Sequence, residues 1–161
     1  MGRGFIEYRR ETADQGELVA YSAFLDYRLP DGSTLAVDQQ PAWCPTCGQF
    51  VLAERLPELA ELEEMLAAVR GQEPEALRRL AVFGRSAEDK VAELTRRIAW
   101  RCGRRSPARC LHCGSDRAFA IPAGGEFAHP STGERVAVVS SGFASMERWV
   151  AEFSPEGIKI G

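Results

Sequence analysis

The sequence predicts an α+β fold in which a β-rich body carries a three-helix insertion. Three observations point there. Apolar residues alternate with their neighbours in the first and last thirds of the 161 residues, but recur at helical spacing in the middle. Proline, serine and glycine punctuate that middle third as helix starts and stops. Two matched C-x-x-C-G motifs stand at the borders between these regions, with 62 residues between Cys47 and Cys110. The expected organisation is a single domain over 1–161, with 1–53 and 110–161 as the β-rich body and 54–109 as the helical insertion.

The elements follow in order. Phe5 to Tyr8 reads as a short strand. Leu18 to Leu29 reads as one longer strand, with Val19, Tyr21, Ala23, Leu25 and Tyr27 on one face. Pro30-Asp31-Gly32-Ser33 is a turn, and Thr34 to Val37 is the return strand, so a hairpin leads to Trp43. Gln49 to Ala53 is a further strand. Pro57 opens the first helix, whose stripe is Leu59, Leu62, Leu66 and Val69, and Gly71 stops it. Pro74 opens a second with Leu77, Leu80 and Ala81 inward, ended by Gly84. Ser86 caps a third, with Asp89 at the capping-box position, a stripe of Val91, Leu94 and Ile98, and a stop at Gly103. Short amphipathic helices bury little alone, so these three must pack on each other and on the sheet. Ala118 to Ile121, Glu126 to Ala128, Arg135 to Val139, Arg148 to Phe153 and Gly157 to Ile160 complete the strands. Turns at His129-Pro130-Ser131-Thr132-Gly133 and Pro155-Glu156-Gly157 separate the last of them.

The cysteines carry the chemistry. Cys44-Pro45-Thr46-Cys47-Gly48 and Cys110-Leu111-His112-Cys113-Gly114 have the same spacing. Two intervening residues let both sulfurs of a pair face one cation, and the glycine that follows gives the turn its backbone freedom. Four thiolates suit one tetrahedral Zn²⁺. One pair cannot close the site, so the two must meet in space and the ends of the insertion must lie close together. With its two C-x-x-C-G knuckles, the chain resembles the zinc-ribbon class over roughly residues 40–55 and 106–122. The long insertion departs from the common pattern. The resemblance implies a metal fold and not a function, because ribbons serve many tasks.

Other readings of the pairs stay open. A rubredoxin-like iron centre uses the same ligands. Trp43-Cys44-Pro45-Thr46-Cys47 has a thioredoxin-like look, but the strand-like Gln49 to Ala53 and the second pair argue against a redox dithiol. Cys102 falls four residues after Ile98 and reads as a small buried hydrophobe, with an alternate ligand or reactive thiol as the other reading. His112 reads as a surface group or one that supports a ligand, and His129 as a turn residue.

Catalytic signatures are missing: no Walker loop, dinucleotide fingerprint, H-E-x-x-H or G-x-S-x-G occurs. Four thiolates also leave a metal no open position for substrate or water. Neither pair is preceded by proline and no H-x-E partner occurs, which separates the chain from the zinc deaminases. Glu63 and Glu64 read as solvated charge. The expectation is therefore a non-enzymatic protein.

Charge supplies the remaining lead. The chain has 20 basic and 23 acidic residues, a net charge of −3. All but Lys90 and Lys159 of the bases are arginine, a bias that points to a GC-rich bacterial genome. Only residues 54–109 are net basic, with 12 bases against 10 acids. Arg96, Arg97, Arg101, Arg104, Arg105 and Arg109 occur with no acid between 94 and 115, and Trp100 is interleaved with them. Arg96, Arg97, Trp100, Arg101, Arg104 and Arg105 are thus the candidate partner surface. Arginine beside an aromatic suits a protein interface, phosphate contact with base stacking, or a plain solvated helix face. The leading expectation is a protein-binding adaptor, or a subunit of a bacterial assembly, that holds one structural Zn²⁺. The alternatives are a nucleic-acid-binding ribbon protein using Arg96 to Arg109, and an iron electron carrier. No apolar run approaches the ~20 residues of a membrane span, and no apolar leader segment precedes the body, so a cytoplasmic protein is expected.

Overall fold

A computed structural model describes residues 4–21, 24–143 and 150–160. Among these residues the chain is mixed α+β, with ten strands in three sheets and three helices. It falls into two compact units, Met1–Arg55 with Ser106–Gly161, and Leu56–Arg105.

In the first unit, β1 (Gly4–Arg10) lies between β2 (Glu17–Tyr21) and β9 (Arg135–Phe143), and β8 (Glu126–Ala128) pairs with β9. All three pairings are antiparallel. A second sheet has β3 (Leu25–Arg28) between β4 (Thr34–Ala36) and β10 (Ala151–Phe153), with β10 parallel to β3. The third sheet bears the knuckles: β5 (Gln39–Cys44) lies between β6 (Gln49–Glu54) and β7 (Phe119–Ala120).

The stretch 18–29 is therefore two strands in two sheets and not one. Val19 pairs with Ile6 in the first sheet, whereas Tyr27 pairs with Leu35 in the second. Both segments keep the same alternation, so period alone cannot expose the change of partner. Tyr21 belongs to β2, Ala23 lies outside the described residues, and so do Arg148 and Trp149 of the strand expected over Arg148 to Phe153. Residues 157–160 return beside β10 through a single bridge, Phe153 to Lys159, and do not form a full strand.

Aromatic side chains fill the space between the first and third sheets. Tyr8 stacks on Phe50 at 4.9 Å, and Phe127 meets Phe50 edge-on at 6.2 Å. The Tyr8 hydroxyl donates to the Pro122 carbonyl at 2.9 Å, and burial pushes its phenol up to about 12. His129 is buried against Trp43 and Phe50. Its Nδ1 accepts from the Ser131 and Thr132 backbone N–H groups at 3.2 and 3.3 Å, so it shapes the expected β8–β9 turn from inside.

The second unit is a three-helix cluster: α1 (Leu59–Arg70), α2 (Pro74–Val82) and α3 (Ala87–Gly103). Leu62, Val69, Leu80 and Leu94 form its buried centre, flanked by Leu66, Leu77, Val91 and Ile98. Ser86 caps α3, its hydroxyl accepting from the Asp89 N–H at 3.1 Å. Three expectations need correction. Pro57 precedes α1 and does not enter it, because Glu58 is the extended N-cap residue. Ala81 is exposed, because the narrow stripe of so short a helix ends with Leu80. Cys102 is exposed as well, not buried. Near the end of α3 it is Trp100, off the expected stripe, that is buried.

One buried carboxylate joins three parts of the first unit. Glu54 is fully buried at the end of β6. It accepts from the Tyr27 hydroxyl of β3, and from the Arg109 backbone N–H at 2.9 Å. Its own N–H donates to the Arg109 carbonyl at 2.9 Å. Gly157 lies against the carboxylate with a φ of 83°, where a Cβ would overlap it. Gly157→Ala should therefore lower stability by about 3 kcal/mol, from left-handed strain plus overpacking. Thermal melting reads this directly, and a melting temperature equal to the parent's would contradict the close approach.

Candidate metal centre

The strand pairing brings the knuckles together. β5 and β6 are in register from Gln39–Glu54 to Cys44–Gln49, so the first knuckle is the tip of a hairpin. The second is anchored by an antiparallel bridge between Ala53 and Cys110, and by the Leu111 N–H donating to the Leu52 carbonyl at 3.0 Å. The two turns repeat one geometry. Gly48 N–H donates to the Cys44 carbonyl at 2.8 Å, and Gly114 N–H donates to the Cys110 carbonyl at 2.9 Å. Both glycines are left-handed, with φ of 65° and 77°. Any other residue there would bear the cost of a Cβ beside the backbone oxygen. Thr46 and Ser115 share a hydroxyl–hydroxyl hydrogen bond of 2.9 Å across the knuckles.

The four sulfurs of Cys44, Cys47, Cys110 and Cys113 lie within 4.8 Å of one another. Two of the cross-knuckle separations are 3.6 Å for Cys44–Cys113 and 3.9 Å for Cys47–Cys110. A tetrahedron with metal–sulfur bonds of about 2.3 Å has sulfur–sulfur edges of about 3.8 Å. The spacing therefore fits one cation at the centre. Cys44 and Cys110 are fully buried, Cys47 is half-buried and Cys113 is exposed. Cys102 is not part of the cluster. Ala42, Val51 and Ala53 pack against the inner sulfurs, and such an apolar backing keeps water off that side.

As thiols Cys44, Cys47 and Cys110 are unequal. Burial pushes Cys110 up to about 11, even though backbone N–H groups favour its thiolate. Burial, with the neighbouring thiols, also pushes Cys47 up. At Cys44 burial acts the same way, but the Cys47 N–H and the surrounding S–H donors outweigh it, so that thiol falls below its ordinary value. A cation must displace the protons held by Cys47 and Cys110, so binding strengthens as pH rises and weakens on acidification.

Around the centre, Arg109 acts as a fastener. Its Nη1 donates to the Gly114 carbonyl at 3.0 Å, and its Nε donates to the Glu156 carbonyl at 2.9 Å. It thereby ties the second knuckle to the turn that brings Gly157 against Glu54. Neither Glu54 nor this use of Arg109 is legible in the sequence, where the first reads as the start of the insertion and the second as part of a basic run. The one available signal is an acid that directly follows the apolar run Phe50 to Ala53. His112 is exposed on the second knuckle.

The six residues of the candidate partner surface do not share an exposed face. Arg97, Trp100 and Arg104 are buried, Arg96 and Arg101 are half-buried, and Arg105 is exposed. Arg97 lies 3.7 Å from Glu93, one turn earlier in α3. Burial raises the Glu93 carboxyl, yet Lys90, Arg85 and Arg97 together hold it below the ordinary range. The Arg104 guanidinium sits 6.0 Å from the Trp100 ring centre, and the Arg101 Nε donates to the Pro57 carbonyl at 2.7 Å. The acid-free window begins just after the acid that faces the run.

No protein-family model, curated protein or solved structure matches the chain. The geometry defines a four-cysteine site that can hold one metal ion. Among the described residues no helix is long and apolar enough to cross a membrane.

The ligand assignment makes a paired prediction. Cys47→Ser combined with Cys110→Ser should abolish metal retention, and Cys102→Ala should leave the stoichiometry unchanged. Elemental analysis of the purified variants tests both. Loss of the metal from the Cys102 variant would require a different set of four thiols.

Proposed function

We propose that the centre is a structural zinc site of zinc-ribbon type, and that the chain is a non-enzymatic adaptor or subunit of a bacterial assembly that binds another protein. The observation that carries the metal reading is the set of sulfur separations, near the edges of a tetrahedron, at the junction of two knuckles from remote parts of the chain. Four thiolates close the coordination shell. A cation there ties segments together and has no place to activate water. An iron centre would use the same donors, and colour distinguishes them: a ferric four-thiolate site is red and a zinc site is colourless.

Support for the adaptor reading comes from α2 and the turn after it. Val82 and Phe83 are 75% and 68% exposed, and the exposed Arg78, Arg79 and Arg85 surround them in sequence. An outward aromatic among arginines suits a protein interface. The nucleic-acid reading has less support, because base stacking needs an exposed ring and Trp100 is buried.

Two experiments test the proposal. Removal of zinc by a chelator under reducing conditions should lower the main melting transition by more than about 10 °C, because the metal contributes folding free energy. An unchanged melt after verified removal would make the metal incidental. For the adaptor role, a partner identified by affinity capture is purified and titrated. Val82→Ser with Phe83→Ser should weaken its binding at least about tenfold with zinc content unchanged. Equal affinity would exclude this surface.

A further inference from the structure

The four thiols of the centre are not equally reachable. Cys44 and Cys110 are fully buried, whereas Cys113 is exposed. Cys113 also lines an open cleft of about 250 Å³. One wall is the second knuckle, Cys110 to Gly114, and the other is formed by Phe153, Gly157, Ile158 and Lys159. A hydroperoxide is small enough to enter such a cleft, and Lys159 supplies a positive charge at its wall. The first knuckle's sulfurs do not line it. Behind Cys113, its sulfur lies 3.6 Å from that of the buried Cys44.

We propose that Cys113 is a site of oxidation by hydroperoxides, with Cys44 as its resolving partner. The inference rests on the zinc reading for its consequence, but not for the thiol pairing. The chemistry takes two steps. The Cys113 thiolate attacks one peroxide oxygen; an S–O bond forms, the O–O bond breaks, and the departing hydroxide takes a proton to become water. The Cys44 thiolate then attacks the sulfur of the resulting sulfenic acid. An S–S bond forms, the S–O bond breaks, and the second hydroxide leaves as water after taking a proton. Two thiolates lose two electrons in total, and one hydrogen peroxide becomes two waters.

The pairing determines what happens to the fold. A disulfide within one knuckle would remove two ligands and sever the metal link between residues 44–47 and 110–113. The Cys44–Cys113 disulfide removes two ligands but joins the same knuckles covalently. Cys47 and Cys110 remain as thiols, too few to retain the cation tightly. Oxidation therefore releases zinc while the closure of the β body is kept.

The test uses the full chain carrying Cys102→Ala, so that the exposed fifth thiol does not react. Zinc is first measured in the untreated protein, which tests the metal reading by itself. Hydrogen peroxide is then added in small excess, released zinc is followed with a chromogenic chelator, and disulfides are mapped by mass spectrometry. The expected result is one zinc released per Cys44–Cys113 disulfide. The oxidised, zinc-free protein should melt well above the chelated, reduced protein. Disulfides within the knuckles, Cys113 carried on to sulfinic acid with Cys44 still reduced, or zinc retained with all four thiols intact would each overturn the proposal. If the untreated chain holds no zinc, the metal reading fails, and the disulfide map still decides the thiol pairing.

Discussion

The convergence of two knuckles separated by 62 residues is the constraint on which the first unit depends. A single C-x-x-C turn cannot complete a tetrahedral shell; each pair needs the other within about 4 Å. This requirement dictates that the chain leave the β body after Arg55 and return to it at Ser106, with Glu54 and Arg109 side by side. Whatever occupies the intervening residues must begin and end at neighbouring points. A self-contained three-helix cluster, with its own centre of Leu62, Val69, Leu80 and Leu94, meets that demand.

The cysteine cluster is not the only feature that joins the segments at the crossing. Beneath it lies Glu54, a buried carboxylate that would be costly without donors and has them from Tyr27 and Arg109. Arg109 in turn reaches the carbonyls of Gly114 and Glu156. A sheet strand, the second knuckle and the C-terminal turn are thus held by one polar network. Such a network is favourable only when complete, since each partner removed strands another buried polar group. The crossing therefore combines a four-cysteine site that can hold a metal ion with a hydrogen-bonded layer built on Glu54 and Arg109.

Much of this was legible in the residue pattern, and the remainder was lost for physical reasons. Matched spacing and the glycines at 48 and 114 singled out the four cysteines whose sulfurs cluster, because left-handed turns after a C-x-x-C admit little else. Helix limits at Ser86 and Pro74 followed from capping and from proline's fixed φ. The split of 18–29 between two sheets was hidden, because alternation records which face a residue takes and not which strand lies beside it. Cys102 was misplaced by extending the stripe of α3 to its last turn, where Trp100 takes the buried position instead. The arginine run looked uncompensated because Glu93 stands just outside it, yet one helical turn places that acid beside Arg97.

A four-cysteine site that can hold one metal ion, an exposed edge at Cys113 and an outward apolar pair at Val82 and Phe83 are the features on which the functional proposal rests. The central claim is that one cation is bound by sulfur from both knuckles at once. X-ray absorption at the zinc edge of the purified protein tests it most directly. The account predicts four sulfur neighbours at about 2.3 Å and no lighter ligand. Two or three sulfurs completed by nitrogen or oxygen would contradict it, since at least one knuckle cysteine would then stand outside the shell.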